Sequence, residues 1–543
     1  MKKVFGASII TLATLFLFVG ILFAMLFLAI APNNLWIMLL AIPLTIMVNG
    51  AMLLLSPLIS DLIYSWYYRV KWISPVELQA QLPELAAFIT KVTTEKKFQF
   101  PRIGIIDDLN PQAFTYGSHR GNGRIIFTKG ILNFLNTEEI NAVIGHELGH
   151  IYNLDFIVMT IASTMLQIMY IIYEISIRVR SRGSKKGNPL ALVGLVAYIF
   201  YFIGTYILLL LSRLREYMAD NFSAVQTGNP ESLASALVKV AYGILSVPDT
   251  GKSKNLLEST RALGLVDVKS SKGVVNYLAS SSTTPEAQKS LDLTKIFPFM
   301  VFDLKSPWAF LSELNSTHPL TAKRIKNLAA AGSDQSYLNK LEDYVAQVKV
   351  DNFKLYGNFF VDLAIKYLPL FALVLSLPFI FIFHISFFLA LIPFGMMQIV
   401  IIYYTYPAWG KKFSNLSEAM QDLYVSPFRG TLIADEATII GKADAGNPLT
   451  ADLQIQDEHA IVSVGVKTMF GFISNIFFAL TKYKKLLGQK GNVEGHFFRS
   501  MGPYVILSKF QNNEHKVNSY PRLAAIIGAI FLMGLGVVLA VVI

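Results

Sequence analysis

The sequence predicts a mainly α, polytopic membrane helical protein with a soluble part between its apolar segments and a small C-terminal β-rich domain. Three observations carry this. Hydrophobic residues make up 53% of the 543 and charged ones only 15%; mean hydropathy is +0.49; and apolar runs long enough to cross a bilayer alternate with polar, turn-rich stretches. Soluble folds seldom combine such values. The net charge of +11 comes from Lys and Arg scattered around apolar segments, not interleaved with aromatics. It points to a lipid bilayer surface and away from nucleic acid. With no cysteine, disulfides, thiolate metal sites and cysteine nucleophiles are excluded together, so any metal must be held by His and carboxylate.

Lys2 and Lys3 precede an apolar run from Phe5 to Ala31, longer than the core of a cleavable signal, and a second run from Leu35 to Ile59 follows Pro32-Asn33-Asn34. Residues 1–60 are read as two membrane helices, with Lys2, Lys3, Arg69 and Lys71 held in the cytoplasm by the positive-inside rule. A soluble pattern follows, with a helix from Pro75 to Lys97 and strands at Arg102–Asp107 and Arg124–Phe127. Between the strands, Asn110–Gly117 reads as a turn and short strand. Its bland role is structural; its functional one is an edge, carried by Asn110, Ala113 and Phe114, that pairs with an extended peptide. Thr137-Glu138-Glu139 opens the next helix as an N-cap with an acidic first turn.

That helix contains His146-Glu147-Leu148-Gly149-His150, an HExxH motif. Two imidazoles four residues apart lie one turn apart on one helix face, the spacing at which both ligate a single zinc ion. Glu147, beside the open coordination position, suits the general base of a hydrolysis. A helix with two surface histidines is the bland alternative, but His is only 8 of 543 residues. Such a zinc site needs a third protein ligand. Asn153 and Phe156 stand where the metzincin pattern requires Gly and His. Glu216 is the better candidate, because two apolar segments, 156–177 and 190–211, form a hairpin that returns the chain to the side it left. Asp220, one turn on, would orient a ligating His. The hairpin tip, Arg178 to Pro189, carries five basic residues that the positive-inside rule would keep on the other side, so spanning competes with partial insertion.

At these residues the chain resembles the HtpX-type membrane zinc metallopeptidases, relatives of the CAAX prenyl endopeptidases. The resemblance rests on Asn110–Gly117, on His146–His150 with Asn153 and Asp155, on Arg215–Asp220 and on His318–Ile325, and covers residues 1 to about 330. It implies a zincin-type, gluzincin domain with one Zn2+ per chain held by His146, His150 and Glu216, and with Glu147 as base. It also implies that His318 stabilises the oxyanion and that Arg324 supports the site. By itself His318-Pro319 reads as a helix start.

Residues 61–366 are thus expected to form the metallopeptidase domain. Within them Asp249–Leu291, rich in Ser, Lys and Gly, is either a gate or a plain linker. Residues 367–406, interrupted by prolines and His384, read as two further membrane helices. Residues 411–520 read as a soluble β-rich domain, a small barrel with turns at Gly441 and Gly446-Asn447-Pro448 and without a catalytic constellation. Within it Phe470–Leu487 is either an interfacial or a core helix. Residues 522–543 form the last span. The expected protein is an integral, multi-pass zinc endopeptidase of a prokaryotic cell membrane with its site facing the cytoplasm, acting on membrane or misfolded protein substrates in quality control. The rival readings are a prenyl-protein peptidase and a membrane scaffold with a structural zinc.

Overall fold

In a computed structural model of the chain the described residues are 2–29, 35–178, 189–246, 265, 293–329, 337–383, 385–442, 450–458, 460–468, 472–500 and 502–542. The 179–188 hairpin tip, Asp249–Leu291 apart from Leu265, His384 and the Gly446-Asn447-Pro448 turn fall outside them. Among the described residues seven helices are long and apolar enough to cross a membrane, in the seven places the apolar runs mark. The chain packs as two units: residues 1–244, 255–270 and 313–339, and residues 245–254, 271–312 and 340–543.

The first unit begins with α1 (Lys2–Ala29) and α2 (Leu35–Trp66), the latter running past the predicted Ile59. After β1 (Lys71–Ile73), the helix expected over Pro75–Lys97 is broken into α3 (Pro75–Gln81) and α4 (Pro83–Lys96). Pro83 lacks the N–H that would continue the first helix, while Ser74 and Glu77 cap its start reciprocally. Strands β2 (Arg102–Ile106), β3 (Ala113–Tyr116) and β4 (Arg124–Thr128) complete a sheet in the order β1-β2-β4-β3, with β2 and β4 parallel. Asp61, near the end of α2, fastens this sheet to the membrane part: it accepts from Tyr116 Oη at 2.8 Å and pairs with Arg124 and Arg102, each at 3.0 Å.

After α5 (Lys129–Phe134) come α6 (Thr137–Tyr152), α7 (Asp155–Arg178), α8 (Pro189–Thr227) and α9 (Pro230–Ser246). The N-cap of α6 is Asn136, one residue before the expected Thr137: its Oδ1 accepts from Glu139 N, and Glu139 Oε2 accepts from Asn136 N. Helices α7 and α8 are antiparallel, since Gly194 meets Ser176 and Ile177 while Gly204 meets Leu166. They bury Ala162, Leu166, Met169, Val193 and Ala197 against Leu15 and Leu22 of α1. Helix α8 is continuous over 39 residues, about 58 Å at 1.5 Å per residue. That is close to twice the roughly 30 Å hydrocarbon layer, so its C-terminal turns project beyond the bilayer.

In the second unit the helix Asn352–Phe383 starts well before the expected Tyr367. It is followed by a 3-10 turn at Phe387–Ala390, the helix Leu391–Thr405 and, at the end, Pro521–Val542. The last two pack closely because Gly395 lies against Ala529 and Met533, and Gly536 against Phe388 and Leu391. Strands β6 (Thr431–Lys442), β7 (Leu453–Gln456), β8 (Ile461–Gly465), β9 (Lys490–Arg499) and β10 (Pro503–Gln511) pair in a ring β6-β7-β8-β10-β9-β6. Only β8 and β10 within that ring are parallel. The helix Phe472–Thr481 joins β8 to β9. This closed five-stranded ring with a helix before its fourth strand is the arrangement of an OB-fold. Gly441 lies in β6 at a register shift, not in a turn. Two-residue β5 (Lys412–Phe413) and β11 (Lys516–Asn518) extend the edges.

Candidate metal centre

The centre is built where α6 crosses the projecting end of α8. The two glycines of α6 make that crossing close. A Cβ at Gly149 would meet Ala219 Cα at 3.0 Å, and one at Gly145 would meet Ser223 Oγ at 3.1 Å, while Ser223 Oγ itself donates to the Ala142 carbonyl at 2.5 Å. Near-contact of backbones brings the third carboxylate to the histidines. His146 Nε2 and His150 Nε2 are 3.0 Å apart, and Glu216 lies 3.6 Å from the first and 3.5 Å from the second. Ligand atoms of these three residues all fall within 4.8 Å of one another.

Each imidazole is oriented from behind. His146 Nδ1 faces Asp220 Oδ1 at 2.9 Å, and His150 Nδ1 faces Asp155 Oδ2 at 2.5 Å. A carboxylate at Nδ1 holds the proton there and leaves Nε2 as a bare acceptor. Burial also drives the His146 pKa down to about 4, which keeps the ring neutral. Two lone pairs 3.0 Å apart and an anionic carboxylate therefore face one another, an arrangement of acceptors that a cation satisfies. The residues present fit a metal ion.

Asp220 is in turn held by Arg324, whose Nε and Nη2 donate to its two oxygens at 2.9 and 2.5 Å. Arg324 Nη1 also stands 3.3 Å from Glu216 Oε2. Asp155 is paired with Arg215, which donates to the Asn153 carbonyl at 2.6 Å. Leu154, at φ 58°, turns the chain between α6 and α7 so that Asp155 returns to His150, a left-handed conformation of order 1 kcal/mol or more for a non-glycine residue. Glu147 is fully buried and, among the described residues, neither carboxylate oxygen has a hydrogen-bond partner. Burial pushes its pKa up to about 8. An orphaned buried carboxyl is costly to folding and suited to exchanging a proton.

His318 reaches the same place from a separate segment. Its Nε2 lies 3.7 Å from Glu216 Oε1, and Nδ1 is 3.0 Å from Thr317 Oγ1. Arg213 of α8 fixes that segment by donating to the Glu313 and Ser316 carbonyls at 2.7 and 2.9 Å.

The sequence profile of Peptidase family M48 matches residues 77–331, the stretch that carries every group just described. "Protease HtpX homolog" of Methanothermobacter thermautotrophicus is 38% identical over 202 residues, covering 36% of this chain and 74% of the relative. The chain belongs to peptidase family M48. It is of the HtpX type: "Protease HtpX homolog 2" of Methanosarcina mazei is 29% identical over 227 residues, 41% of this chain and 76% of that protein. "Protease HtpX homolog" of Dictyoglomus turgidum is 33% identical over 245 residues, 44% and 66% of the two. The crystal structure of S. mikatae Ste24p aligns with 60% of this chain and 67% of its own at 16% identity and a TM-score of 0.29, a superposition too loose to argue from. The chain is thus a membrane protease of a metal-dependent family.

In this M48 chain the structure brings together His146, His150, Glu216, Glu147, Asp220, His318 and Arg324, all named from sequence. Strand β3 stands at the edge of its sheet, as the sequence suggested, with its side chains buried. Phe114 is fully buried beside Tyr64, Tyr116 and Ile126, and Asn110 is buried too, so neither side chain lies open to a peptide. What β3 offers is backbone, and its Ala113 carbonyl accepts from Leu265 N at 3.2 Å. Asp155, Arg215 and Arg213 received no role from the sequence. Only the placement of Asp155 five residues after His150, past a helix end, signalled it.

Proposed function

We propose that the chain is a zinc-dependent endopeptidase, a zincin-type enzyme of the gluzincin kind, with its site at the cytoplasmic face of a prokaryotic cell membrane. The observation that carries the reading is the orphaned Glu147 carboxyl beside three converging acceptors, His146, His150 and Glu216. A structural zinc closes its fourth position with protein and has no use for a free buried carboxyl, whereas hydrolysis needs one. Zn2+ held by these three residues would polarise the scissile carbonyl and make a water acidic near neutral pH.

The other steps belong to the chain. Glu147 takes the proton of the attacking water and returns it to the leaving amine. His318 donates from Nε2 to the oxygen that gains charge as the carbonyl becomes tetrahedral. Asp220 and Asp155 hold the two imidazoles, with Arg324 fixing Asp220. The edge strand β3 aligns the substrate backbone. The helices long and apolar enough to cross a membrane, seven among the described residues, keep this chemistry at the bilayer, which favours misfolded or orphaned membrane proteins as substrates and a role in quality control.

Glu147→Gln with metal content measured and bound peptides identified tests the mechanism; a variant with full turnover rules it out. Sidedness is tested by Val76→Cys, an exposed position of the soluble part in a cysteine-free chain. An impermeant maleimide should label it only after cells are permeabilised, and labelling in intact cells would place the site outside.

A further inference from the structure

A cavity of about 290 Å³ opens beside His150 and Glu216. Its walls are Phe156 and Met159 of α7 and Leu208 and Leu209 of α8, all partly exposed, while Thr115 of β3 and Thr317 border it. The apolar surface next to the candidate metal ligands is thus made mainly by α7 and α8, with Thr115 of the sheet at its border.

Several polar groups around the cavity are engaged, although Ser212 also borders it and Arg215 Nε has no hydrogen-bond partner among the described residues. Thr115 Oγ1 donates to the Arg124 carbonyl at 2.6 Å. Arg215 is taken by Asp155 and by the Asn153 carbonyl, and Thr317 Oγ1 lies 3.0 Å from His318 Nδ1. Away from the ligands, most of what faces the space is aliphatic, thioether and aromatic, with the Ser212 hydroxyl among it. A charged side chain placed there would lose its hydration and meet mainly Asp155 and Arg215, which already pair with each other. The size selects as well: an apolar cavity of roughly 150 Å³ holds benzene, so one of about 290 Å³ takes a leucine, methionine or phenylalanine side chain and leaves most of its volume empty with alanine.

Geometry also fixes which residue of the substrate enters. Thr115 belongs to the strand whose edge aligns the peptide, and His150 and Glu216 border the same cavity. A side chain lodged here is therefore within one residue of the carbonyl held at the metal.

We infer that Phe156, Met159, Leu208 and Leu209 form a selectivity pocket that admits a large uncharged apolar side chain adjacent to the bond cut. The enzyme would then cleave within or beside sequences taken from membrane spans, and this inference rests on the peptidase reading.

The test uses the full-length, zinc-loaded protein in detergent and synthetic peptides identical except for the residue flanking the cleaved bond: Ala, Leu, Phe, Asp or Lys. Leu and Phe should exceed Ala by roughly 10- to 100-fold in kcat/KM, with Asp and Lys below Ala. Met159→Trp fills the cavity and should invert the order to Ala above Leu and Phe at unchanged zinc content. Should that variant fail to fold, Leu208→Ala enlarges the cavity instead and should raise cleavage of a Trp peptide relative to Leu. Cleavage without preference, or a preference that neither variant moves, overturns the pocket and leaves the peptidase reading intact. No cleavage of any peptide by the zinc-loaded wild type overturns the peptidase reading, and the pocket with it.

Discussion

Arg324 and Arg499 are the two bulkiest fully buried side chains, one in each unit, and they are held in opposite ways. Arg324 faces chiefly carboxylates, with one donation to the Leu265 carbonyl. Burial by itself would lower its pKa, but Asp220 and Glu216 outweigh burial and hold it above the ordinary arginine value. Arg499, at the end of β9, faces backbone: it donates to the Phe299 carbonyl at 2.8 Å and to the Met420 carbonyl, with its guanidinium 4.1 Å over the Phe302 ring. Its nearest carboxylate, Asp303, is 3.8 Å away, and burial drives its pKa down to about 10. A charge held by carbonyls ties chain segments together and is then spent. A charge held by carboxylates passes its influence on, from Arg324 through Asp220 to His146 and Glu216, and so belongs to the chemistry.

The largest expected effect tests whether the site region is chemical at all. Glu147→Gln should keep the metal and lose roughly 10²- to 10⁴-fold in kcat, read by single-turnover peptide cleavage beside metal analysis. Wild-type turnover would reduce the site to another structural knot, like that around Arg499.

The comparison itself is tested by Arg324→Met and Arg499→Met. The first strands two buried carboxylates and should cost about 3–5 kcal/mol, with loss of metal affinity. The second deprives carbonyls of a donor and should cost about 1–3 kcal/mol, with metal content unchanged. Chemical denaturation in detergent and metal analysis of both variants decide; equal losses on both measures would erase the distinction.

His318→Ala comes next, with an expected loss on the order of 100-fold in rate at constant zinc if its Nε2 serves the oxyanion. Unaltered turnover would make His318 only part of the helix start before Thr321.

The smallest effects separate holding from orienting. Glu216→Ala should release the metal, whereas Asp155→Ala and Asp220→Ala should each weaken its affinity by roughly 10- to 100-fold, measured by competition with a chelator. Tight binding in Glu216→Ala would remove it from the ligand set. An Asp155→Ala that binds like wild type would show that the ring of His150 is held by packing alone.

Much of this was legible in one dimension because its causes are local. Apolar runs about as long as the bilayer is thick mark membrane helices wherever they lie. The i, i+4 spacing of His146 and His150 puts both rings on one helix face whatever surrounds it. Alternation after Lys411 marked strands, and β-barrel closure agrees with it. Local signals also misled. Pro83 split a helix that amphipathic spacing ran together. The segment 110–117 does supply an edge strand, but the sequence could not tell that Phe114 would pack inward beside Tyr64 and Ile126 and that Asn110 would be buried.

By itself, then, the sequence determined the membrane class, the two-histidine face of α6 and the pool of carboxylates from which a third ligand and its supports could come, since each depends on composition or on spacing within one element. Only the tertiary structure decided that Glu216 meets both histidines, that Asp155 orients His150, and that a cavity between α7 and α8 lies next to the ligands. Those relations depend on how closely two helices approach. That distance is set by Gly149 against Ala219, by the left-handed turn at Leu154 and by the length of α8 beyond the bilayer, none of which is a property of any one segment read alone.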